Sequence, residues 1–317
     1  MLTEIDKIGE MLGHTPILLL ENLPFKLYCK IESQNFAGSI KARPAFYILK
    51  NAILQQKINQ DTLIVESSSG NFALALAKIC QRLEIKFIPI IDPNINSIYK
   101  NLLIFLAYKV IKVTQPDKTG GYLLTRIDKV KEICKEENNS FWTNQYENID
   151  NFNAHYHSTA SEICNQFNQL DYIFIAVSSG GTISGISKRL KEKFPKMKVI
   201  AVDVEGSVIF GGPPKKRYIP GMGASKVPPL IKYAEIDDVI YLGEYEALEG
   251  CYSLLKKHSI FAGGSTGVVY QAIQKYFEKH DISSNQNVLF LAVDGGMPYV
   301  DTIYNSQWAA SLKAKLS

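Results

Sequence analysis

The sequence predicts an α/β fold of two domains, with parallel or mostly parallel sheets flanked by helices. Three observations carry this. Short runs rich in Ile, Val and Phe alternate with longer amphipathic stretches, the pattern of strands and helices taking turns along a chain. The strand runs are apolar almost throughout, as strands covered on both faces are. A chain of 317 residues with 46% apolar content has material for two cores of medium size.

In chain order, strands are predicted at "TLIVES" from Thr62, "KFIPII" from Lys86, "KVIKV" from Lys109, "YIFIAV" from Tyr172, "KVIAVDV" from Lys198, "DVIYL" from Asp238 and "NVLFLAV" from Asn287. Their β-branched and aromatic content is what a pleated, buried surface accepts best. Helical spacing of apolar residues covers 43–57, 71–83, 122–135, 182–193 and 266–279. Without a repeat, a low-complexity tract or a long linker, the domain boundary is expected in a short crossover. The candidate is "NQYENIDNFNAHYH", from Asn144.

Composition excludes several functions. Net charge is +4, but both signs are interspersed along the chain, so no nucleic-acid partner is implied. The N-terminal "MLTEIDKIGE" lacks the basic leader and apolar stretch of a signal peptide. The longest apolar run, "LLIFLAY" from Leu102, is far short of a membrane span. Five scattered cysteines without a CxxC pair read as reduced core thiols of a cytoplasmic chain. His155 and His157, at i and i+2, share no helix face and read as surface or core residues; no metal site is expected.

Chemistry is concentrated in loops that follow strands, where open parallel sheets place ligands. In "ESSSGN" three hydroxyls, Ser67, Ser68 and Ser69, and Gly70 precede a helix whose first N–H groups lack internal partners, a seat for a carboxylate. In "SSGGTISG" Ser178, Ser179, Gly180, Gly181 and Thr182 form a phosphate cradle opening another helix. "FAGGSTG" offers the Ser265 hydroxyl in the same setting. Each loop alone is also what any tight strand-to-helix turn demands. Neither a P-loop nor GxGxxG is present. Lys41, in "NFAGSIKARPA", stands at a helix start, where an ammonium is disfavoured. A solvated surface lysine is the ordinary reading of that position taken alone. A reactive lysine, a phosphate cradle and a carboxylate loop together are the set a pyridoxal phosphate enzyme needs.

Lys41 within "GSIKARPA", with "SSSGN", "NQYEN", "SSGGTISG" and "GGSTG", occurs in the order and spacing of the cysteine synthase group of fold-type-II pyridoxal phosphate enzymes. The chain resembles that group from about Gly9 to Tyr304. The resemblance implies a two-domain homodimer acting by β-replacement on a serine derivative. Residues 38–148 would form the smaller domain, and 1–37 with 149–317 the larger, cofactor-phosphate-binding one. Lys41 would be the Schiff-base lysine and would move the α-proton. Asn71 would bond the cofactor's ring hydroxyl, Ser178 to Thr182 would hold its phosphate, and Ser265 would meet the pyridine nitrogen. Ser67 to Gly70 and Gln145 would bind substrate.

The chain also departs from ordinary cysteine synthases. Tyr146, Ser178 and Phe72 stand where those enzymes usually carry Phe, Gly and Thr. "GGYLLTR" (120–126) and "GSVIFGGPPKKRYIPGMGASKVP" (206–228) resemble instead the N-(2-amino-2-carboxyethyl)-L-glutamate synthases of 2,3-diaminopropionate and siderophore pathways, which join O-phospho-L-serine to L-glutamate. Arg126, Lys215, Lys216, Arg217 and Lys226 would add positive charge for a more anionic substrate pair, and Tyr146 and Ser178 would donate hydrogen bonds to it. Ala42 replaces a usual Asp, and "DGGMPY" (294–299) stands where relatives usually read DRGDRY. A cysteine synthase using sulfide and a non-catalytic cofactor-binding scaffold are the alternatives.

Overall fold

A computed structural model describes residues 1–21, 23–117 and 120–316. Its strands are β1 (Ile17–Leu20), β2 (Lys26–Ile31), β3 (Leu63–Ser67), β4 (Phe87–Ile91), β5 (Ile111–Lys112), β6 (Ser140–Trp142), β7 (Tyr172–Ala176), β8 (Lys198–Val204), β9 (Asp238–Leu242) and β10 (Asn287–Ala292). The helices are α1 (Leu2–Glu10), α2 (Ala42–Leu54), α3 (Asn71–Leu83), α4 (Ser97–Leu106), α5 (Leu123–Glu136), α6 (Ile149–Ala154), α7 (Ala160–Gln166), α8 (Gly181–Lys193), α9 (Glu244–His258), α10 (Gly264–Phe277) and α11 (Ser306–Leu316). One sheet has the order β1-β2-β10-β7-β8-β9, parallel except for the β1–β2 pair. The other, β5-β4-β3-β6, is parallel throughout. The expected α/β class with mostly parallel sheets is therefore observed.

The near-continuous apolar strands have the predicted cause. In the smaller sheet Ile64, Phe87 and Ile91 face α1, α2 and α3 through Ile5, Ile8, Leu49, Phe72 and Ile79. Their neighbours Val65, Ile88 and Ile90 face α5 through Val130 and Ile133. In the larger sheet Phe174, Val202 and Phe290 pack on α9 and α10, whereas Ile175, Val199 and Leu289 pack on α7 and α8. Side chains of a strand alternate between faces, so a strand covered twice must be apolar at every position.

Strands β1, β2 and β6 and helices α1, α4, α6, α7, α9 and α11 go beyond the predicted elements. β2, "KLYCKI", hides its nature because Lys30 is fully buried among charges. Of "KVIKV" only Ile111 and Lys112 pair. The crossover "NQYENIDNFNAHYH" is a loop for its first five residues and then becomes helical: α6 runs through a π-helical turn at His155–Thr159 into α7. Its Asn-rich start has weak helix propensity, and contact with α2 and α8 supplies what the sequence lacks. The five cysteines are buried or half-buried and free. Among the described residues no helix is long and apolar enough to cross a membrane.

Candidate active site

The carboxylate loop and the cradle leave the C-terminal ends of β3 and β7, one in each sheet, whereas the Ser265 loop, expected after a strand, follows α9 and meets the segment after β10 through the Ala262–Gly295 bridge. Lys41 is the N-cap of α2, and the preceding stretch is tied to the β10 end by Ile40 N–H donating to the Val293 carbonyl at 2.8 Å. The ammonium of Lys41 donates to Ser179 Oγ at 3.3 Å, across 138 residues of sequence. Burial lowers its pKa to about 8 against the opposing charge of Glu66. The low basicity anticipated from the helix start thus has a different main cause, desolvation of the amine.

The carboxylate loop leaves β3 and enters α3. Ser68 Oγ accepts from Ala73 N–H at 3.2 Å, which caps the first turn. Ser67 Oγ is buried with no partner among the described residues, a hydroxyl free for a ligand. Glu66, just before it, is a fully buried carboxylate held by Thr143 Oγ1 at 2.5 Å, by Ser67 N–H at 2.7 Å and by Gln145 N–H at 3.3 Å. Burial pushes its carboxyl up, and those donors pull it back. Gln145 is thereby fixed beside the loop.

Two glycines of the phosphate cradle are required by geometry. Gly180 has φ +85°, in the left-handed region that side chains disfavour. A Cβ on Gly181 would lie 2.2 Å from Asn151 Oδ1, so only glycine lets the backbone approach α6. Asn151 in turn donates to Ser179 Oγ at 3.2 Å and to the Gln145 carbonyl at 2.6 Å. Thr182 meets His155 Nε2 at 3.2 Å, and His155 Nδ1 meets Thr159 Oγ1 at 3.0 Å. Burial holds His155 well below its usual pKa, so this ring is neutral and orients the Thr182 hydroxyl. The two histidines thus separate: His155 braces the cradle and His157 is exposed. Ser265, at the start of α10, is buried.

The residues that set this chain apart lie at unequal depths. Arg126 Nη1 donates to Ser69 Oγ at 2.9 Å and stands 3.2 Å from Asp92 Oδ2, so a cation rests on the carboxylate loop itself. Tyr146 is half-buried: desolvation raises its phenol, while Arg126 and Arg217 draw it down. Ser178 Oγ already donates to the Gly223 carbonyl at 3.2 Å. The 206–228 stretch divides. Arg217 turns inward onto Ser225 Oγ at 3.1 Å and the Gly206 carbonyl. Lys215 and Lys226 form exposed pairs with Glu205 and Glu147, and Lys216 lies over the Tyr218 ring. The three lysines are exposed; Arg217 is half-buried.

Asn151, His155 and Glu66 were not singled out by the motifs. Asn and His within a polar helical stretch carry no periodic signal, and Glu66 reads as an ordinary strand end. Among the described residues no group of three or more His, Cys, Asp or Glu is placed to hold a metal.

Comparison with known proteins agrees with this geometry. A family model described as "Pyridoxal-phosphate dependent enzyme" matches residues 8–294. The chain is 39% identical to an N-(2-amino-2-carboxyethyl)-L-glutamate synthase of Cupriavidus metallidurans, over 98% of this chain and 93% of that one. It is 38% identical to a protein of the same name from Ralstonia nicotianae, over 97% and 92%. Among solved structures, the O-acetylserine-dependent cystathionine β-synthase of Helicobacter pylori superposes with a TM-score of 0.86 at 28% identity, covering 94% of this chain and 98% of that one.

Proposed function

Since the chain belongs to the family of pyridoxal-phosphate dependent enzymes, we propose that its β-replacement joins O-phospho-L-serine to L-glutamate, giving N-(2-amino-2-carboxyethyl)-L-glutamate and phosphate. The product is a precursor of 2,3-diaminopropionate for siderophore assembly, made in the cytoplasm by a homodimer. Residues 38–148 are the smaller domain of this enzyme, with α1 packed against it from outside that range.

The residues present fit the cofactor. A half-buried, desolvated amine of low basicity stands at Lys41, a backbone cradle without side chains opens α8 at Gly180 and Gly181, and, among the described residues, buried oxygens of Ser67 and Asn151 lack partners. When bound, pyridoxal phosphate supplies the conjugated aldehyde that draws electrons from a substrate's α-carbon. Ser178 to Thr182 and the α8 N-terminus hold its phosphate, Asn71 bonds its ring hydroxyl and Ser265 its ring nitrogen. Lys41 is its covalent anchor. The Ser67–Gly70 loop and Gln145 receive the substrate α-carboxylate. Lys41 Nζ then takes the α-proton and returns it after the new bond forms at Cβ.

The observation that carries the substrate assignment is Arg126 seated on Ser69. A second anionic group beside the α-carboxylate meets a guanidinium already held in place by Asp92 at 3.2 Å, which sulfide does not need. The names of the two curated relatives support the same pair. Phosphate release from O-phosphoserine should depend on glutamate more than on sulfide or other amino acids. Arg126→Ala should lower kcat/KM by about tenfold to a hundredfold, the worth of a charge-assisted hydrogen bond, while borohydride still fixes the cofactor to Lys41. Tyr146→Phe should spare cofactor binding and lose glutamate-dependent turnover. Sulfide consumption with no response to glutamate would return the chain to the cysteine synthase reading.

A further inference from the structure

The "DGGMPY" segment, where relatives usually read differently, is built into the centre of the molecule. Asp294 forms an antiparallel bridge with Ser39, two residues before Lys41, and Gly295 forms one with Ala262, three residues before Ser265. Val293 N–H donates to Thr266 Oγ1 at 3.2 Å. One short stretch after β10 therefore sets the relative positions of the Lys41 and Ser265 loops. Its side chains reach the third element, α3: Asp294 Oδ2 accepts from Asn71 Nδ2 at 2.8 Å and from the Tyr299 hydroxyl at 2.6 Å. The Tyr99 hydroxyl donates to Asn71 Oδ1. Asp294, Tyr99 and Tyr299 are all buried.

These contacts decide which way the Asn71 amide faces. Asp294 Oδ2 accepts from Asn71 and from Tyr299, so it selects the NH2 end of the amide; the Tyr99 hydroxyl, donating, selects the carbonyl end. Turning the amide over would set two oxygens against each other in a buried site. Tyr99 occupies one lone pair of the carbonyl and Asp294 takes one N–H. The second N–H is left as a donor.

We propose that Asp294 is a positioning residue which fixes the Asn71 amide as a hydrogen-bond donor toward the ring oxygen of pyridoxal phosphate, while the backbone on either side of it holds the Lys41 and Ser265 loops in register. The inference rests on the reading of Asn71 as the partner of the ring hydroxyl. A donor at that oxygen favours its ionised form, which absorbs at longer wavelength than the protonated form. The colour of the bound cofactor thus reports the orientation of Asn71, independently of turnover.

The test is Asp294→Asn in the holoenzyme. The replacement keeps the shape but sets an amide, which can present either an oxygen or an NH2 group, against Asn71 Nδ2, so the sense of the Asn71 amide is no longer fixed by a group that only accepts. The visible band should lose intensity to a near-ultraviolet one, and pyridoxal 5'-phosphate, titrated into the cofactor-free protein, should bind about tenfold more weakly, as for a lost hydrogen bond to a charged group. The cofactor-free melting temperature should stay near that of the wild type. An unchanged band and affinity would overturn the proposal, as would a lowered melting temperature with no spectral change, which marks a purely structural role. Asn71→Ala separates the layers. If it leaves the band unmoved, the reading of Asn71 is wrong and the proposal falls with it; if it moves the band and Asp294→Asn does not, Asp294 alone is at fault. The double variant should be no worse than Asn71→Ala, because the two residues act as one unit. Should Asp294→Asn not fold, Tyr99→Phe decides: a smaller shift in the same direction supports the proposal, and none overturns it.

Discussion

Replacing Lys41 by alanine is expected to lower turnover at least a thousandfold and to leave the fold intact. Positioned general acid–base catalysis alone is worth about a hundredfold to ten-thousandfold, and the same side chain is the covalent anchor of the cofactor. Little stability depends on it, since its hydrogen bond among the described side chains is the 3.3 Å contact with Ser179 and its desolvation opposes the charged form. Steady-state rates together with melting of the cofactor-free variant make the comparison. Turnover within tenfold of wild type would remove Lys41 from the chemistry. A pH dependence accompanies this result. With a pKa lowered to about 8, the neutral amine that attacks the aldehyde becomes the main form as pH rises through 8. The rate of pyridoxal phosphate attachment to the cofactor-free protein should therefore rise with a midpoint there, and not at the ordinary lysine value near 10.4.

The second large effect is on stability. Arg43, two residues beyond Lys41, is fully buried and grips two carboxylates: Nε and Nη2 donate to Glu32 at 2.7 Å each, while Nη1 and Nη2 donate to Glu162 at 2.6 and 2.9 Å. Lys30 adds contacts of 2.8 Å to Glu162 and 3.0 Å to the Thr15 carbonyl. Two cations balance two anions, and Thr15 and Asn35 satisfy the remaining lone pairs of Glu32. Arg43→Ala leaves two carboxylates facing one lysine, which should cost about 3 to 5 kcal/mol, the usual penalty for breaking a buried ion pair from one side.

The acid limb of stability tests the same cluster. Burial works to raise the Glu162 carboxyl, but Arg43 and then Lys30 hold it down to about 2. A carboxyl depressed on folding contributes stability that is fully present above its unfolded value near 4.5 and is lost as pH falls from there through 2. The wild type should lose stability over that window. Arg43→Ala, in which much of the contribution is already gone, should show a shallower slope. Equal slopes in denaturant titrations at several pH values would show that Arg43 does not set the Glu162 carboxyl.

Much of the site was legible because the carboxylate loop and the cradle follow β3 and β7; the Ser265 loop, expected in the same setting, follows α9. The carboxylate loop, the cradle and the Ser265 loop are each short, contiguous and composed of residues with local reasons to be there, such as the left-handed turn at Gly180. What lay beyond reach depends on partners far apart in the chain. Asn71 and Asp294 are 223 residues apart, and nothing near either one marks the pair. Arg43 occupies the start of an amphipathic helix, where a charge is ordinarily solvated; its burial exists only because Glu32 and Glu162 arrive from elsewhere. In "PPKKR" the composition could not tell the inward Arg217 from the outward lysines beside it.

By itself the sequence determined the α/β alternation, the doubly covered strands and the place of Lys41 ahead of a helix, since apolar periodicity and turn chemistry act within a few residues. The tertiary structure alone decided that the Lys41 amine is desolvated, that Asn71 is held by Asp294 and Tyr99, and that Arg126 rests on Ser69. Those outcomes follow from strand order, which brings distant loops to one edge. Burial there makes an unpartnered charge or amide too costly, so the side chains that meet must complement one another.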